Sequence, residues 1–176
     1  MLDRNALLIV IDFQEKMIPH IEEEDIIKNA KKLIKAMKIF KIPIILTKQI
    51  KLGETVKEIK DEVDEIEEIE KDTFSCYRNK NFYEKIVKMG RKKCIIIGIE
   101  THICVLQTAL DLVKDGYEVH VALDCTGSRR KIDKEIAIQK MIKGGVIPST
   151  AEIIMYEMLG SANVKEFKDI LKIVKS

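Results

Sequence analysis

The stretch Cys94–Val113, read as CIIIGIETHICVLQTALDLV, constrains the fold more than any other. It opens on Ile95-Ile96-Ile97, a continuous apolar run of the kind required of a strand buried on both faces of a parallel sheet. The chain then turns at Gly98-Ile99-Glu100-Thr101 and becomes helical, with Val105, Ala109, Leu112 and Val113 at one-face spacing. Cys104 falls in the first turn of that helix, where unpaired N–H groups and the positive end of the helix dipole favour a thiolate. A free cysteine is also a small hydrophobe that is commonly buried. The rest of the chain has to decide between a nucleophile and a core residue.

The same strand-to-helix alternation recurs along the chain. Ala6–Ile11 is an apolar run closing on Asp12, followed by an amphipathic helix over about Glu24–Phe40. Pro43 opens a second strand, Ile44–Thr47, and an irregular stretch is expected from Lys48 to about Asp64, turning at Leu52-Gly53. A short strand at Ile66–Ile69 leads to Lys71, and Asn81–Met89 reads as a helix. Beyond Gly116 come a strand at Tyr117–Leu123 closing on Asp124, a helix at Asp133–Lys143 and a short strand at Val146–Pro148. Ser149-Thr150-Ala151-Glu152 has the form of a capping box, and Val164, Phe167, Ile170, Leu171 and Val174 mark a C-terminal helix. Short connections between alternating elements imply right-handed crossovers. The expected fold is α/β, a three-layer α-β-α sandwich around a mainly parallel sheet of about six strands. One domain over residues 1–176 is expected, with no internal repeat or linker.

Composition narrows the function. Thirty-one basic residues stand against 29 acidic, a net charge of +2, so bulk electrostatics give no case for nucleic acid. The lysines are interleaved with glutamates and apolar residues, as on solvated helix faces. The apolar start, Ala6–Ile11, is too short for a transmembrane span or a leader, so no membrane association and a cytoplasmic location are expected. Cys76, Cys94, Cys104 and Cys125 show no CxxC spacing, which suggests neither zinc nor a disulfide framework.

In parallel sheets the ligand site lies beyond the carboxyl ends of the strands. That rule selects Asp12, Thr47 to Gln49, Lys71, the turn from Gly98 to Cys104, and Asp124. Three of these suit one chemistry: Cys104 as nucleophile, Asp12 as the base that takes its proton, and Lys71 as a cation steadying both anions. Gln14, Gln49, Phe74 and Tyr77 are candidates for the pocket lining, while Asp124 and Arg129 read as braces for a loop or a subunit contact.

These motifs resemble those of the isochorismatase-like cysteine hydrolases, which include nicotinamidases and N-carbamoylsarcosine amidases. Ile9-Val10-Ile11-Asp12-Phe13-Gln14 is similar to the family's first-strand motif, Glu70-Lys71-Asp72-Thr73-Phe74-Ser75 to its lysine segment, and Gly98–Val105 to its nucleophile motif. Asp124–Arg129 is similar to a further signature, and Gly145–Glu152 to a weaker one. The resemblance implies an Asp12-Lys71-Cys104 triad, with Lys71 holding the Cys104 pKa down. It also implies a cis peptide at Ile99–Glu100 and an oxyanion hole that includes the Cys104 N–H. Nicotinamidases carry a metal-binding Asp-x-His after the second strand; here the segment reads Thr47-Lys48-Gln49, and His20, His102 and His120 are the chain's histidines. No metal or other cofactor is therefore expected.

The resulting reading is a metal-independent hydrolase of a small amide-like C–N bond, working through a thioester, on a small-molecule substrate, in a homo-oligomer of two or more copies. The alternatives are a non-catalytic binding or scaffold protein that keeps the fold, a redox-sensing thiol, and a nicotinamidase-type amidase.

Overall fold

The computed structural model describes residues 1–63 and 65–176. Six strands, β1 (Ala6–Ile11), β2 (Ile44–Gln49), β3 (Glu68–Lys71), β4 (Lys93–Ile99), β5 (Glu118–Gly127) and β6 (Ile147–Ser149), form one sheet in the order β3-β2-β1-β4-β5-β6. Every pairing is parallel. The helices are α1 (Ile26–Ile39), α2 (Lys57–Lys60), α3 (Lys80–Met89), α4 (Leu106–Lys114), α5 (Lys131–Lys143), α6 (Ala151–Leu159) and α7 (Phe167–Lys175). The three-layer α/β fold is as the sequence pattern implies.

Strand β1 shows why its run is wholly apolar. Ala6, Leu8 and Val10 enter a core with α1, α6 and α7, through Ala30, Leu33, Ile154 and Ile170. Leu7, Ile9 and Ile11 enter the opposite core with α3, α4 and α5, through Phe82, Ile86, Ala109, Leu112 and Met141. Alternate side chains thus face opposite layers, and both layers are apolar.

Several boundaries differ from expectation. The stretch after β2 contains the one-turn helix α2, and Asp64, at its expected end, lies outside the described residues. Helix α5 begins two residues earlier than its apolar pattern suggests. The capping residue of α6 is Thr150, whose hydroxyl accepts from the Ile153 N–H at 3.2 Å; the box is displaced by one residue from Ser149. Strand β5 does not close on Asp124 but runs on to Gly127, with its register against β4 shifting between Ile96 and Gly98. Asp124 is held inside that irregularity because its carboxylate accepts from the Ala151 N–H at the start of α6, 2.9 Å away. Asp124 is thus a brace between β5 and α6.

The strand order reverses direction between β1 and β4, which leave the sheet toward opposite sides. The two strands run close: Gly98 pairs with Ile11 and has φ of +135°. A Cβ on Gly98 would lie 2.1 Å from the Ile11 carbonyl oxygen. Gly98→Ala therefore combines a steric clash with backbone strain and should cost about 3 kcal/mol or more. The check is a urea unfolding curve, with a lowered midpoint at unchanged slope; a wild-type midpoint would show that the two strands can separate at no cost.

Candidate active site

Four strand ends converge at the crevice beside β1 and β4, where a ligand site is expected in an open parallel sheet. Asp12 directly follows β1, and its backbone lies in the left-handed region at φ of 53°. Aspartate tolerates that conformation better than most residues, yet it remains a strained state of the kind concentrated at functional sites. The Asp12 N–H donates to the Thr47 carbonyl at 3.2 Å, and the Thr47 hydroxyl donates to Asp12 Oδ1 at 2.8 Å. Strand β2 thus fixes both the backbone and one carboxylate oxygen of Asp12.

Lys71 ends β3 and reaches back across β2. Its Nζ donates to Asp12 Oδ2 at 2.6 Å, to Gln49 Oε1 at 2.6 Å and to the Thr73 carbonyl at 3.2 Å, and it lies 3.6 Å from Cys104 Sγ. Asp12 and Lys71 are each 1% exposed. A buried ion pair of this kind is costly to break from one side, by about 3–5 kcal/mol, because the surviving charge stays buried.

Cys104 follows β4 in a π-helical turn, Thr101–Val105, that leads into α4. The peptide bond Ile99–Glu100 is cis. The N–H groups on either side of Cys104, those of Ile103 and Val105, both donate to the Glu100 carbonyl, at 3.1 and 3.2 Å. That leaves Cys104 itself as the member of the trio whose N–H is not committed to this carbonyl.

The thiol differs from expectation. Burial pushes the Cys104 pKa well above the usual cysteine range, the Asp12 carboxylate adds to the rise, and Lys71 offsets only part of it. The reason lies in charge count. With a neutral thiol, Asp12 and Lys71 balance; a thiolate would add a second buried anion to a single buried cation. The resting site is a thiol beside an ion pair, and Lys71 does not hold Cys104 ionised. Burial likewise raises Cys76 to about 11 and Cys94 to about 12.

A cavity of about 180 Å³ opens onto these groups, lined by Asp12, Met17, Gln49, Leu52, Phe74, Ile99, Glu100, Ile103, Cys104 and Arg129. Gln49 and Phe74 are among the lining residues, with Phe74 at the rim, 56% exposed. Gln14 and Tyr77 are not. The Gln14 side chain is spent bracing the loop after β2: its amide nitrogen donates to the carbonyls of Gln49 and Gly53, and its oxygen accepts from the Gln49 N–H. Tyr77 points to the far side of α4, where its hydroxyl meets Asp115 and its ring packs edge-on against Tyr83 and Tyr117.

Met17 lies in a turn without periodicity and had no local signal; Leu52 and Ile103 lie in turns that the sequence marks, at Leu52-Gly53 and from Gly98 to Cys104, but nothing local shows that their side chains face the cavity. Arg129 pairs with Glu100, its Nε 3.0 Å from Oε1. His102 lies outside the lining and is bonded through Nδ1 to the Ser128 hydroxyl at 2.9 Å. Among the described residues, no three His, Cys, Asp or Glu side chains are grouped so as to hold a metal ion. No helix among them is long and apolar enough to cross a membrane.

The fold and the crevice together define an α/β protein of the isochorismatase type. A model of the isochorismatase domain matches residues 6–153, and the chain belongs to that family. It is 34% identical over 168 residues to isochorismatase domain-containing protein 1 of Salmo salar, covering 94% of this chain and 59% of that protein. The chain thus spans less than two thirds of that relative. Among solved structures, the MAR1 ribonuclease of Caenorhabditis elegans superposes with a TM-score of 0.91 at 33% identity, covering 98% of this chain and 91% of the other. The YcaC gene product of Escherichia coli, described as an octameric hydrolase of unknown specificity, superposes with a TM-score of 0.87 at 22% identity, covering 99% and 96%. That last likeness is one of fold.

The charge balance gives a sign that can be measured. Asp12→Asn removes the anion that opposes a thiolate and leaves the Lys71 ammonium without its carboxylate, so Cys104 should alkylate at lower pH. Lys71→Met should move the profile to higher pH. Iodoacetamide rates followed at the Cys104 peptide should rise about tenfold at pH 7 in Asp12→Asn, one unit of pKa being a factor of ten. A folded Asp12→Asn protein with the wild-type profile would rule out the carboxylate as the group that keeps the thiol protonated.

Proposed function

We propose that this isochorismatase-family protein is a cysteine hydrolase of a small amide-like C–N bond. The observation that carries the reading is the convergence of Asp12, Lys71 and Cys104 at the floor of one small cavity, with the ammonium within 2.6 Å of the carboxylate and 3.6 Å of the sulfur. Because the resting sulfur is a thiol, deprotonation belongs to the attack step. Asp12 takes the S–H proton as sulfur bonds to the substrate carbonyl carbon, and the carbonyl oxygen becomes an oxyanion held by the Cys104 N–H. Collapse breaks the C–N bond, and Asp12 returns the proton to the leaving amine. A water then gives a proton to Asp12 and its oxygen to the acyl carbon; the C–S bond breaks and the thiol is restored. The sum is amide plus water giving acid plus amine. Lys71 keeps Asp12 in place through this cycle and lowers the cost of the transient negative charge.

The donor set supports a reaction without a metal. After β2, Thr47 is engaged with Asp12, Gln49 with Lys71 and the Asp72 carbonyl, and Lys48 with Glu54 and Glu70. The four cysteines are unpaired, which supports a reducing, cytoplasmic setting. Exposed Ile132, Ile136, Ile142 and Ile153 on α5 and α6 support a homo-oligomer.

The name of the C. elegans neighbour offers a second reading, RNA cleavage. The cavity favours it less, because about 180 Å³ is the room of roughly six waters, and a phosphodiester there would face the carboxylates of Asp12 and Glu100.

The test is a screen of small amides, with a labelled RNA alongside. Turnover of an amide that falls at least about 1,000-fold in Cys104→Ala and survives dialysis against a strong chelator is the expected result. Activity lost on chelation and restored by zinc or manganese would overturn the metal-free mechanism. RNA cleavage unaffected by Cys104→Ala would overturn the thiol's role.

A further inference from the structure

We propose that the cavity selects uncharged substrates: a small neutral amide with an apolar acyl part, to the exclusion of carboxylate- and ammonium-bearing analogues. The proposal rests on the thioester reading for its chemistry but not for its test. Four ionised groups line the cavity or stand behind its floor, and they pair off. Asp12 is matched by Lys71 at 2.6 Å. Glu100 is matched by Arg129, accepting through Oε1 from both the Arg129 Nε at 3.0 Å and the Arg129 backbone N–H at 3.1 Å. With Cys104 as a neutral thiol, two negative charges stand against two positive ones.

The burial of these charges is unequal, and that sets the response to each kind of ligand. The Asp12 and Glu100 side chains are 2% and 5% exposed, and Lys71 is fully enclosed. The Arg129 side chain is 54% exposed, so its attraction for an entering anion is weakened by water. An anion would leave solvent to meet two buried carboxylates, one solvated guanidinium and an ammonium already held by Asp12. A cation would find both carboxylates already engaged and Lys71 just beyond the sulfur. In either case an ion loses its hydration without gaining a free counter-ion. The remaining lining offers no charge: Gln49 has its amide engaged with Lys71 and the Asp72 carbonyl, and Met17, Leu52, Phe74, Ile99 and Ile103 suit an apolar group. A neutral amide loses little on entry and still presents a carbonyl to the thiol.

The experiment uses the thiol as its own reporter. Cys104 in the whole protein is treated with three methanethiosulfonates of similar size: the neutral methyl reagent, the anionic sulfonatoethyl reagent and the cationic trimethylammonioethyl reagent. Each rate, read at the Cys104 peptide by mass spectrometry, is divided by that of the same reagent with a small free thiol. The neutral reagent should lead both charged ones by about tenfold, equivalent to about 1.4 kcal/mol. Glu100→Gln keeps the acceptor for Arg129 but removes its charge, so the anionic reagent should gain about tenfold relative to the neutral one. Arg129→Gln should favour the cationic reagent instead. Arg129 is the more exposed partner, so this second variant carries the test if Glu100→Gln fails to fold. An anionic or cationic reagent that equals the neutral one in the wild type overturns the proposal, as does an unaltered order in either folded variant. Since the reagents modify the thiol without turnover, failure of the amide screen would leave this result standing, and the reverse also holds.

Discussion

The crevice depends on a single buried ammonium. Lys71 Nζ lies among the Asp12 carboxylate, the Gln49 amide oxygen, the Thr73 carbonyl and the Cys104 sulfur, and its side chain is out of contact with solvent. A charge in that position is tolerated only when its donors are satisfied, since burial of an unpaired ion costs several kcal/mol. Burial works against the charged form of Lys71, and the surrounding groups outweigh it and leave its pKa raised, with the Asp12 carboxylate as the anion in contact. Each partner of Lys71 is placed by a different piece of chain: Asp12 by β1, Gln49 by β2, Thr73 by the loop after β3, Cys104 by the turn after β4. The edge strand β3 has to pair with β2 in register, Lys71 opposite Gln49, for the ammonium to arrive. The ion pair thus couples correct assembly of the sheet to assembly of the site.

The same electrostatics explain why the thiol rests protonated. A helix terminus and a nearby lysine are the features by which a reactive cysteine is usually recognised, and both are present around Cys104. They are outweighed here because the lysine is already neutralised by a carboxylate that also faces the sulfur. A cation lowers a thiol's pKa by its uncompensated charge; a compensated one mainly orients. In the proposed mechanism, nucleophilic attack waits for a substrate whose carbonyl can accept electrons as Asp12 accepts the proton.

How much of this was legible in the sequence follows from what each residue depends on. Asp12, Lys71 and Cys104 were readable because each lies at or just beyond an apolar strand, and the carboxyl-edge rule gathers such positions without any knowledge of contacts. The parallel pairing of the sheet followed from alternation of elements, whereas the order of its strands did not. Gln14 and Tyr77 were misplaced because polarity near a motif does not reveal direction: the Gln14 amide satisfies loop carbonyls, and Tyr77 faces away behind α4. Asp124 mimicked a strand-end residue, and only the register shift in β5 shows that it serves the start of α6. Met17 was invisible, and the turns holding Leu52 and Ile103 were marked without any sign of which side chains enter the cavity, because turns rather than a period bring the three together. The protonated thiol was out of reach for a different reason: its pKa is a property of the burial and charge of the assembled cluster.

The geometry of the site is set by backbone more than by side chains. At Gly98 the carbonyl of Ile11 occupies the space a Cβ would need, and one residue further along β1 the chain bends into the left-handed region at Asp12. Two strands approach to backbone contact just where Asp12 and the turn that carries Cys104 are about to leave them. Side chains attached to such points have short reach and few rotamers, so Asp12 and Cys104 have little room to separate without parting the sheet. Pre-positioning of this kind keeps reacting groups close without spending substrate binding energy on ordering them. It also limits what the pocket can be adapted to by substitution near the sulfur, because Gly98 leaves no room for a side chain against Ile11. Variation is left to the rim, where Leu52, Phe74 and Arg129 stand on loops rather than strands. Substitution on those loops therefore reshapes the cavity without disturbing the sheet, whereas substitution at the strand ends beneath them disturbs the sheet as well.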